Sequence, residues 1–408
     1  MGNVSRKLKL VQEAEPVRLC DLIHDTVRAS IEQIVQEELD VALGAAPYER
    51  VEVRHGYRNG SRYRTLAGPT GPLALTVPRG TLFTAGGERE WSSKVLPRYQ
   101  RRLPEINDAI AAAYLAGTNT RRLKGALRPL LKTAALSKSA VSRVVGTLKS
   151  SFEAWRERSL AELEVVYLYL DAIALRIRMA GKVVSTPVLV AVAVLADGQK
   201  QLVSLEMCGS ESSDAWRGFL DDLTARKLAA PLLCVVDGNA GLRRAVELVW
   251  PKVQVQRCAV HKLRNMQRKT PKHAQDEVAD DFHKIVYAKD REAAEVAREA
   301  FRTKWKKLCP GVVRSLDEGG DELLTFYRFP EEQWKTIRTT NVIERLNGEF
   351  RRRVKTQASL PTEDAALVLL FSLVASGQIK LRKLDGFEKI APMLNATVRD
   401  RAVEVKVA

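Results

Sequence analysis

The 408-residue sequence is short of cysteine and of long apolar runs, and each shortage excludes something. Its cysteines, Cys20, Cys208, Cys234, Cys258 and Cys309, are odd in number, widely scattered and form no C-x-x-C pair. That argues against a disulfide framework and a four-ligand zinc site, and it fits a reducing, cytoplasmic setting. No apolar run is long enough to span a bilayer. The opening stretch MGNVSRKLKLVQEAEPVR lacks the apolar centre of a signal peptide. MGNVSR does fit the short N-myristoylation pattern, but nothing else points to a membrane.

Acid is also scarce where base is plentiful. The chain carries 66 Lys and Arg against 49 Asp and Glu, a formal charge of +17, with 45% apolar residues. A globular protein so charged favours a polyanionic partner, although net charge alone also fits an ordinary basic protein. The grouping is more telling. Residues 51–150 hold 18 bases against 5 acids, a second basic run, RRRVK, lies at 351–355, and residues 1–50 lean acidic. Such grouping suits surfaces built for phosphate.

Periodicity divides the chain. Residues 18–43 read as a helix through Leu22, Ile23, Val27, Ile31, Ile34 and Val35, closed by GAAP at 44–47. From 51 to 80, turn residues alternate with short β-prone stretches studded with Arg54, Arg58, Arg62, Arg64 and Arg79, as in a small hairpin module. Helical pattern returns at Pro104, near Thr120 and at Ser137. Short helices of which the last opens on small polar and basic residues resemble a helix-turn-helix, with Lys138, Ser139, Ser142 and Arg143 as recognition candidates. A helical linker with a solvated basic face is the alternative.

Between 164 and 260 the order is three strands, helix, strand, helix, strand, which gives an α/β fold with a mixed sheet and flanking helices. Residues 262–333 read as helical and charged, and a last long helix starts near Thr340.

Three acids stand where chemistry is expected. Asp171 follows YLYL, and Asp237 ends the buried run PLLCVV, at the carboxyl edge where open α/β sheets bind ligands. Carboxylates are poor strand residues, so an acid there needs a reason. Each could also simply begin a turn. Glu344, in TTNVIERLNGEFRRRVK, pairs with Asn341 as a potential capping box. It shares a helical face with Gly348, Arg351 and Lys355, while Ile343, Leu346, Phe350 and Val354 form the apolar side. Displacement at a phosphodiester needs charge stabilisation on the entering and leaving oxygens. Two metal ions roughly 3.5–4 Å apart supply it, and three acids suffice to hold magnesium.

Several stretches together resemble a known family. YRNG, VPRG, YLAGTNTR and SKSAVSRV match its N-terminal signatures, LYLDAIALRIR its first acidic strand and CVVDGNAGL its second. QRCAVHKLRN matches its Cys-x-x-His stretch and TTNVIERLNGEFRRR the helix of its third acid. In that order and spacing, from about residue 40 to about 370, the chain resembles the Mutator-type transposases of bacterial insertion sequences, a branch of the Asp-Asp-Glu transposases.

The resemblance implies a ribonuclease H-like catalytic core holding two Mg2+ or Mn2+ ions on Asp171, Asp237 and Glu344, with His261 in a supporting catalytic role. It implies double-stranded DNA partners, the element's terminal inverted repeats and the target, in the bacterial cytoplasm at the nucleoid. Arg58, Arg62, Lys138, Ser139, Ser142, Arg143, Arg345, Asn347, Arg351, Arg352 and Arg353 are the DNA-contact candidates.

The expected division is an N-terminal helical segment 1–50, a basic hairpin-like module 51–103 and a helix-turn-helix domain 104–157. A catalytic domain follows at 158–261 and 334–385, split by an all-helical insertion at 262–333, with a tail at 386–408. Joining two ends implies a homodimer or larger assembly on DNA, with Phe282, Ile285, Val286, Phe301 and Trp305 as interface candidates. Cys258 and His261 are half of a zinc pattern without the other half. Trp216 reads as core, with Glu211 and Asp214 as weak site candidates. A nuclease or resolvase of the same fold, or a DNA-binding regulator without catalysis, are the competing functions. An RNA-binding protein explains the charge but not the acids.

Overall fold

The computed structural model describes residues 18–116, 123–128, 138–179, 181–355, 360 and 362–394. The chain divides into two compact units, residues 1–145 and 146–408.

In the first unit, helix α1 (Leu19–Leu43) ends on Gly44, whose left-handed φ of 67° lets its N–H reach back to the last turn. Only the C-terminal part of α1 is buried, through Val35, Leu39 and Leu43, whereas Leu22, Ile23 and Ile34 are exposed. Strands β1 (Gly56–Gly68) and β2 (Gly71–Thr84) form a long antiparallel hairpin, with β3 (Gly87–Glu90) added beside β2. Alternate residues Leu73, Leu75 and Val77 of β2 pack with Leu66, Val35 and Leu96, as the period of two requires. Helices α2 (Pro104–Leu115) and α3 (Leu123–Ala126) share a second core, Ile106, Ile110, Leu123, Leu127 and Val141. Helix α4 (Lys138–Glu157) spans the boundary between the units. The connections of the expected helix-turn-helix, 117–122 and 129–137, fall outside the described residues.

The second unit is built on five strands: β4 (Val165–Met179), β5 (Lys182–Leu195), β6 (Lys200–Met207), β7 (Leu233–Val236) and β8 (Gln254–Arg257). Their order is β6-β5-β4-β7-β8. Strands β4, β5 and β6 pair antiparallel, and β7 and β8 continue the sheet parallel to β4. The mixed sheet read from periodicity is thus present. One face is sealed by α5 (Ser213–Ala225), through Trp216, Phe219, Leu220 and Leu223, and by α6 (Ala240–Val249), through Leu242, Ala245 and Val246. These meet Leu168, Leu170, Cys234 and Val236 of the sheet. The intervening residues Tyr167 and Tyr169 point the other way. Their hydroxyls donate to the Gln333 side chain and the Thr336 carbonyl of α11 (Glu331–Ile337).

Between β8 and α11 lie α7 (Ala259–Gln267), α8 (Gln275–Val286), α9 (Arg291–Leu308) and α10 (Pro310–Gly319). Phe282, Ile285, Val286, Phe301 and Trp305 are each at most 3% exposed. These side chains fill the core of the helical segment, which corrects their reading as an intermolecular interface; apolar faces at helical spacing were satisfied internally. Helices α12 (Asn341–Lys355) and α13 (Glu363–Ala375) complete the unit, α12 packing on β4.

Candidate active site

Strand register brings the first acids together. Tyr169, Val235 and Gln256 are partners across the three adjacent parallel strands β4, β7 and β8. Two residues further on, on the same face, come Asp171, Asp237 and Cys258. The pairing still holds there, since the Cys258 N–H donates to the Val236 carbonyl at 2.8 Å. Strand β7 ends at Val236, whereas β4 runs on to Met179 beside β5, with Leu360 bridging Ile177 on the other side. Asp171 therefore sits just past the last pair of β4 with β7, where α12 takes the place of a neighbouring strand through Asn347.

Asp171 is held by two donors and, among the described residues, by no salt bridge, although the charge of His261 acts on it from a distance. The Ala172 N–H donates to Oδ1 at 2.9 Å, and the Asn347 amide to Oδ2 at 2.8 Å. Burial, reinforced by the like charge of Asp237, pushes its pKa up from 3.8 to about 7. Asp237 opens a turn as well as ending a strand: its Oδ1 accepts the Asn239 N–H at 2.8 Å. Gly238 has φ +97°, and a Cβ there would come within 2.5 Å of the Arg257 guanidinium, so glycine is required twice over. Asn239 caps α6 by accepting from Gly241 and Leu242, and its amide donates to Glu211 at 2.9 Å. Burial and Asp237 also raise the Glu211 carboxyl, placing this weakly signalled acid beside the site.

Glu344 arrives on α12. The helix begins at Asn341, so the expected capping box of Asn341 with Glu344 is not formed: Thr340 precedes the helix, and its carbonyl accepts the Glu344 N–H at 2.9 Å as the first helical bond. The Thr340 hydroxyl lies 3.2 Å from Glu344 Oε1, 3.2 Å from Cys258 Sγ and 3.3 Å from His261 Nδ1. His261 Nε2 and Arg264 approach Glu344 Oε1 at 3.4 and 3.6 Å. Hydrogen bonding to Cys258 raises the His261 pKa against its burial. The Cys258 thiol is opposed by burial, but bonds from His261 and Thr340 prevail and lower its pKa. Among the described residues, the three metal-capable side chains whose donor atoms lie within 4.8 Å of one another are Cys258, His261 and Glu344. Asp171, Asp237 and Glu344 are spread more widely, close enough for Asp237 and Glu344 to act on Asp171 electrostatically.

The DNA-contact candidates separate into groups. Asn347 is 1% exposed and bonded to Asp171, so it cannot reach DNA; burial of the α12 face beyond Glu344 reassigns it to the site. Arg58 is committed to Asp40 Oδ1 and the Ala45 carbonyl, both at 2.7 Å, tying the hairpin to α1. Arg345, Arg351 and Arg352 on α12 are exposed, Arg352 beside Glu349, and Arg353 is half-buried. Arg62 is half-exposed, and Ser139, Ser142 and Arg143 are exposed on α4. Burial, then the nearby charge of Arg143, depresses the Arg102 pKa, which marks a basic cluster. Lys138 starts α4.

Fold and site together define a class: a mixed α/β protein that gathers acids at the carboxyl edge of its parallel strands, under a helix rich in arginine. Residues 3–380 match the family described as "Transposase, Mutator family". The chain is 35% identical over 353 residues to the transposase for insertion sequence element ISRM5 of Rhizobium meliloti, covering 86% of this chain and 87% of the relative. It is 34% identical to the IS406 transposase of Burkholderia multivorans, covering 86% and 89%. To the IS1081 transposase of Mycobacterium tuberculosis it is 30% identical, covering 87% and 84%. The chain belongs to the Mutator family of transposases. Among solved structures, the Drosophila P element transposase strand transfer complex aligns at 10% identity over 73% of this chain and 86% of that one. Its TM-score of 0.28 is too low to carry an argument. No helix among the described residues is long and apolar enough to cross a membrane.

Proposed function

We propose that this transposase cuts and joins DNA strands at the ends of an insertion sequence through Asp171, Asp237 and Glu344, on a ribonuclease H-like core. The observation that carries the reading is the pair Asp171 and Asp237. They follow the paired stretch of neighbouring parallel strands, one of them is largely enclosed with no ion-pair partner among the described residues, and its pKa stands near 7. Strand order β6-β5-β4-β7-β8, three antiparallel then two parallel to β4, supports the core assignment.

The donor set fits hard divalent ions, Mg2+ or Mn2+: oxygen ligands carrying uncompensated negative charge. A pair of ions about 3.5–4 Å apart suits acids spread more widely than one coordination shell. When bound, two such ions neutralise charge on the entering and leaving oxygens. The chain's own residues set the geometry. Asn347 fixes one oxygen of Asp171, the Asn239 N–H orients Asp237, and Thr340 holds Glu344 at the start of α12. His261, within 3.4 Å of Glu344, is positioned to steady that carboxylate or to meet phosphate.

Arg345, Arg351, Arg352 and Arg353 line the DNA backbone past the site, whereas Arg62, Lys138, Ser139, Ser142 and Arg143 serve end recognition. We assign that recognition to 51–157, catalysis to 158–261 and 334–385, and a helical insertion to 262–333. The enzyme acts as a homodimer or larger assembly on paired ends.

The test is incubation of the full chain with its own element ends and Mg2+. Nicked and joined products are expected. Nicking without joining favours a nuclease or resolvase, and binding without cutting a regulator; either result overturns the proposal.

A further inference from the structure

Among the described residues, the metal-capable side chains that gather most closely are not the trio of acids but Cys258, His261 and Glu344. Its chemistry differs from that of a magnesium site. A thiolate and an imidazole are soft or borderline donors, which hard ions bind poorly and Zn2+, Cd2+ and Co2+ bind well.

Spacing agrees with a single small ion. Donors around a tetrahedral ion with bonds of roughly 2.0–2.3 Å stand about 3.3–3.8 Å apart. His261 Nε2 and Glu344 Oε1 are 3.4 Å apart. The Thr340 hydroxyl, 3.2 Å from Cys258 Sγ and from Glu344 Oε1, meets the other ring nitrogen of His261, Nδ1, at 3.3 Å and so braces all three side chains.

The surroundings of the sulfur point the same way. Cys258 Sγ accepts from the Thr340 N–H at 3.3 Å, the Thr340 hydroxyl at 3.2 Å and the His261 N–H at 3.5 Å. A ring of donors is what a thiolate needs on the side away from a metal. Cys258 is fully buried, while the side chains of His261 and Glu344 are 27% and 26% exposed, so an ion enters from their side. Register fixes Cys258 on the rung of Asp171 and Asp237, and Cys258 also precedes the first turn of α7, which places His261 one helical turn away.

We propose that Cys258, His261 and Glu344 form a binding site for a soft divalent ion of the Zn2+ class, with solvent as the remaining ligand. Glu344 is then shared between two kinds of metal occupancy, and a soft ion withdraws it from the acids. The donor geometry stands by itself, without regard to the role of Glu344 in strand cleavage.

The experiment is titration of the full-length, DNA-free protein with Co2+, read by sulfur-to-cobalt charge-transfer absorption. A thiolate band that saturates at one sulfur-bound ion per chain is expected, whatever further Co2+ the carboxylates take up. Cys258→Ser removes the band, Glu344→Gln weakens the affinity at least about ten-fold, and Cys309→Ser, in a partly exposed cysteine elsewhere, leaves both unchanged. Absence of a thiolate band in the wild type, or its survival in Cys258→Ser, overturns the proposal. Should circular dichroism show that Cys258→Ser does not fold, His261→Asn decides: an unchanged cobalt affinity overturns the site, and a loss of about ten-fold or more upholds it. Because no DNA is present, the outcome is independent of whether the enzyme cuts element ends.

Discussion

The two sheets of this protein use charge in opposite ways. In the three-stranded sheet of the first unit, several arginines are engaged by the fold itself. Arg58 is bonded to Asp40 and the Ala45 carbonyl, Arg64 to the carbonyls of Pro97 and Gln100, and Arg79 faces Glu90. In the five-stranded sheet the acid just past the last pair of β4 with β7, Asp171, has an amide and a peptide N–H but no salt bridge among the described residues. A charge satisfied by its own fold stabilises that fold; a buried charge left uncompensated costs stability and marks a place where something else must bind. Basic residues in sequence therefore overstate the surface offered to DNA, and acids in apolar strands are the sharper sign of chemistry.

The strongest way to break this contrast is to remove the acids. Asp171→Asn, Asp237→Asn and Glu344→Gln should each lower strand cleavage by on the order of 10³-fold or more, with DNA binding almost unchanged. A double variant should be hardly worse than a single one, because the acids act as a unit. Cleavage kinetics on labelled element ends, beside binding isotherms, measure both; a variant that cuts within ten-fold of wild type removes that acid from the site.

A second test uses pH. The folded pKa of Asp171, about 7, lies above the ordinary 3.8. Between those values the folded state keeps a proton that the unfolded state has released. Metal-free stability therefore declines as pH rises through the window, and the penalty is complete above about pH 7. Asp171→Asn should stabilise the metal-free protein at pH 8, by up to roughly 4 kcal/mol, and give little at pH 4. Thermal melts at the two pH values decide it, and an equal shift at both would show that Asp171 bears no such burden.

Next in size is Gly238→Ala. The left-handed backbone and the Arg257 guanidinium both oppose a side chain there. A loss of about 2 kcal/mol in chemical denaturation is expected, with cleavage falling further than DNA binding because the Asp237 turn is distorted.

The smallest effects separate two arginines of one strand. Arg58→Ala should destabilise by about 1–3 kcal/mol through the loss of its bonds to Asp40 and Ala45. Arg62→Ala should leave stability nearly unchanged and lower the salt dependence of DNA binding by about one unit of slope. Identical behaviour of the two would mean that the hairpin arginines share one role.

The succession of strands and helices was legible because each element is long enough to show its period. YLYLDAIALRIRM alternates, PLLCVV is continuously apolar, and SSDAWRGFLDDL repeats at helical spacing. Asp171 and Asp237 stood out for the same reason, as charges interrupting apolar patterns, whereas Glu344, on a charged helix, was singled out by its family likeness. Periodicity says which residues are buried but not against what. It could not distinguish Phe282 and Trp305 inside their own helical core from the same residues at an interface. Nor could it show that Asn347, set among arginines, turns inward to Asp171.

By itself, then, the sequence determined the order of elements, the acids at strand ends, the glycine turn after Asp237 and the basic face of α12, since these depend on neighbours a few residues away. Tertiary structure alone decided that Asp171, Asp237 and Cys258 share one rung and that α12 returns to lay Glu344, Thr340 and Asn347 over them. Those contacts join residues from 21 positions apart, Asp237 and Cys258, to 176 apart, Asp171 and Asn347, where strand register and helix packing, not local pattern, fix which side chains meet.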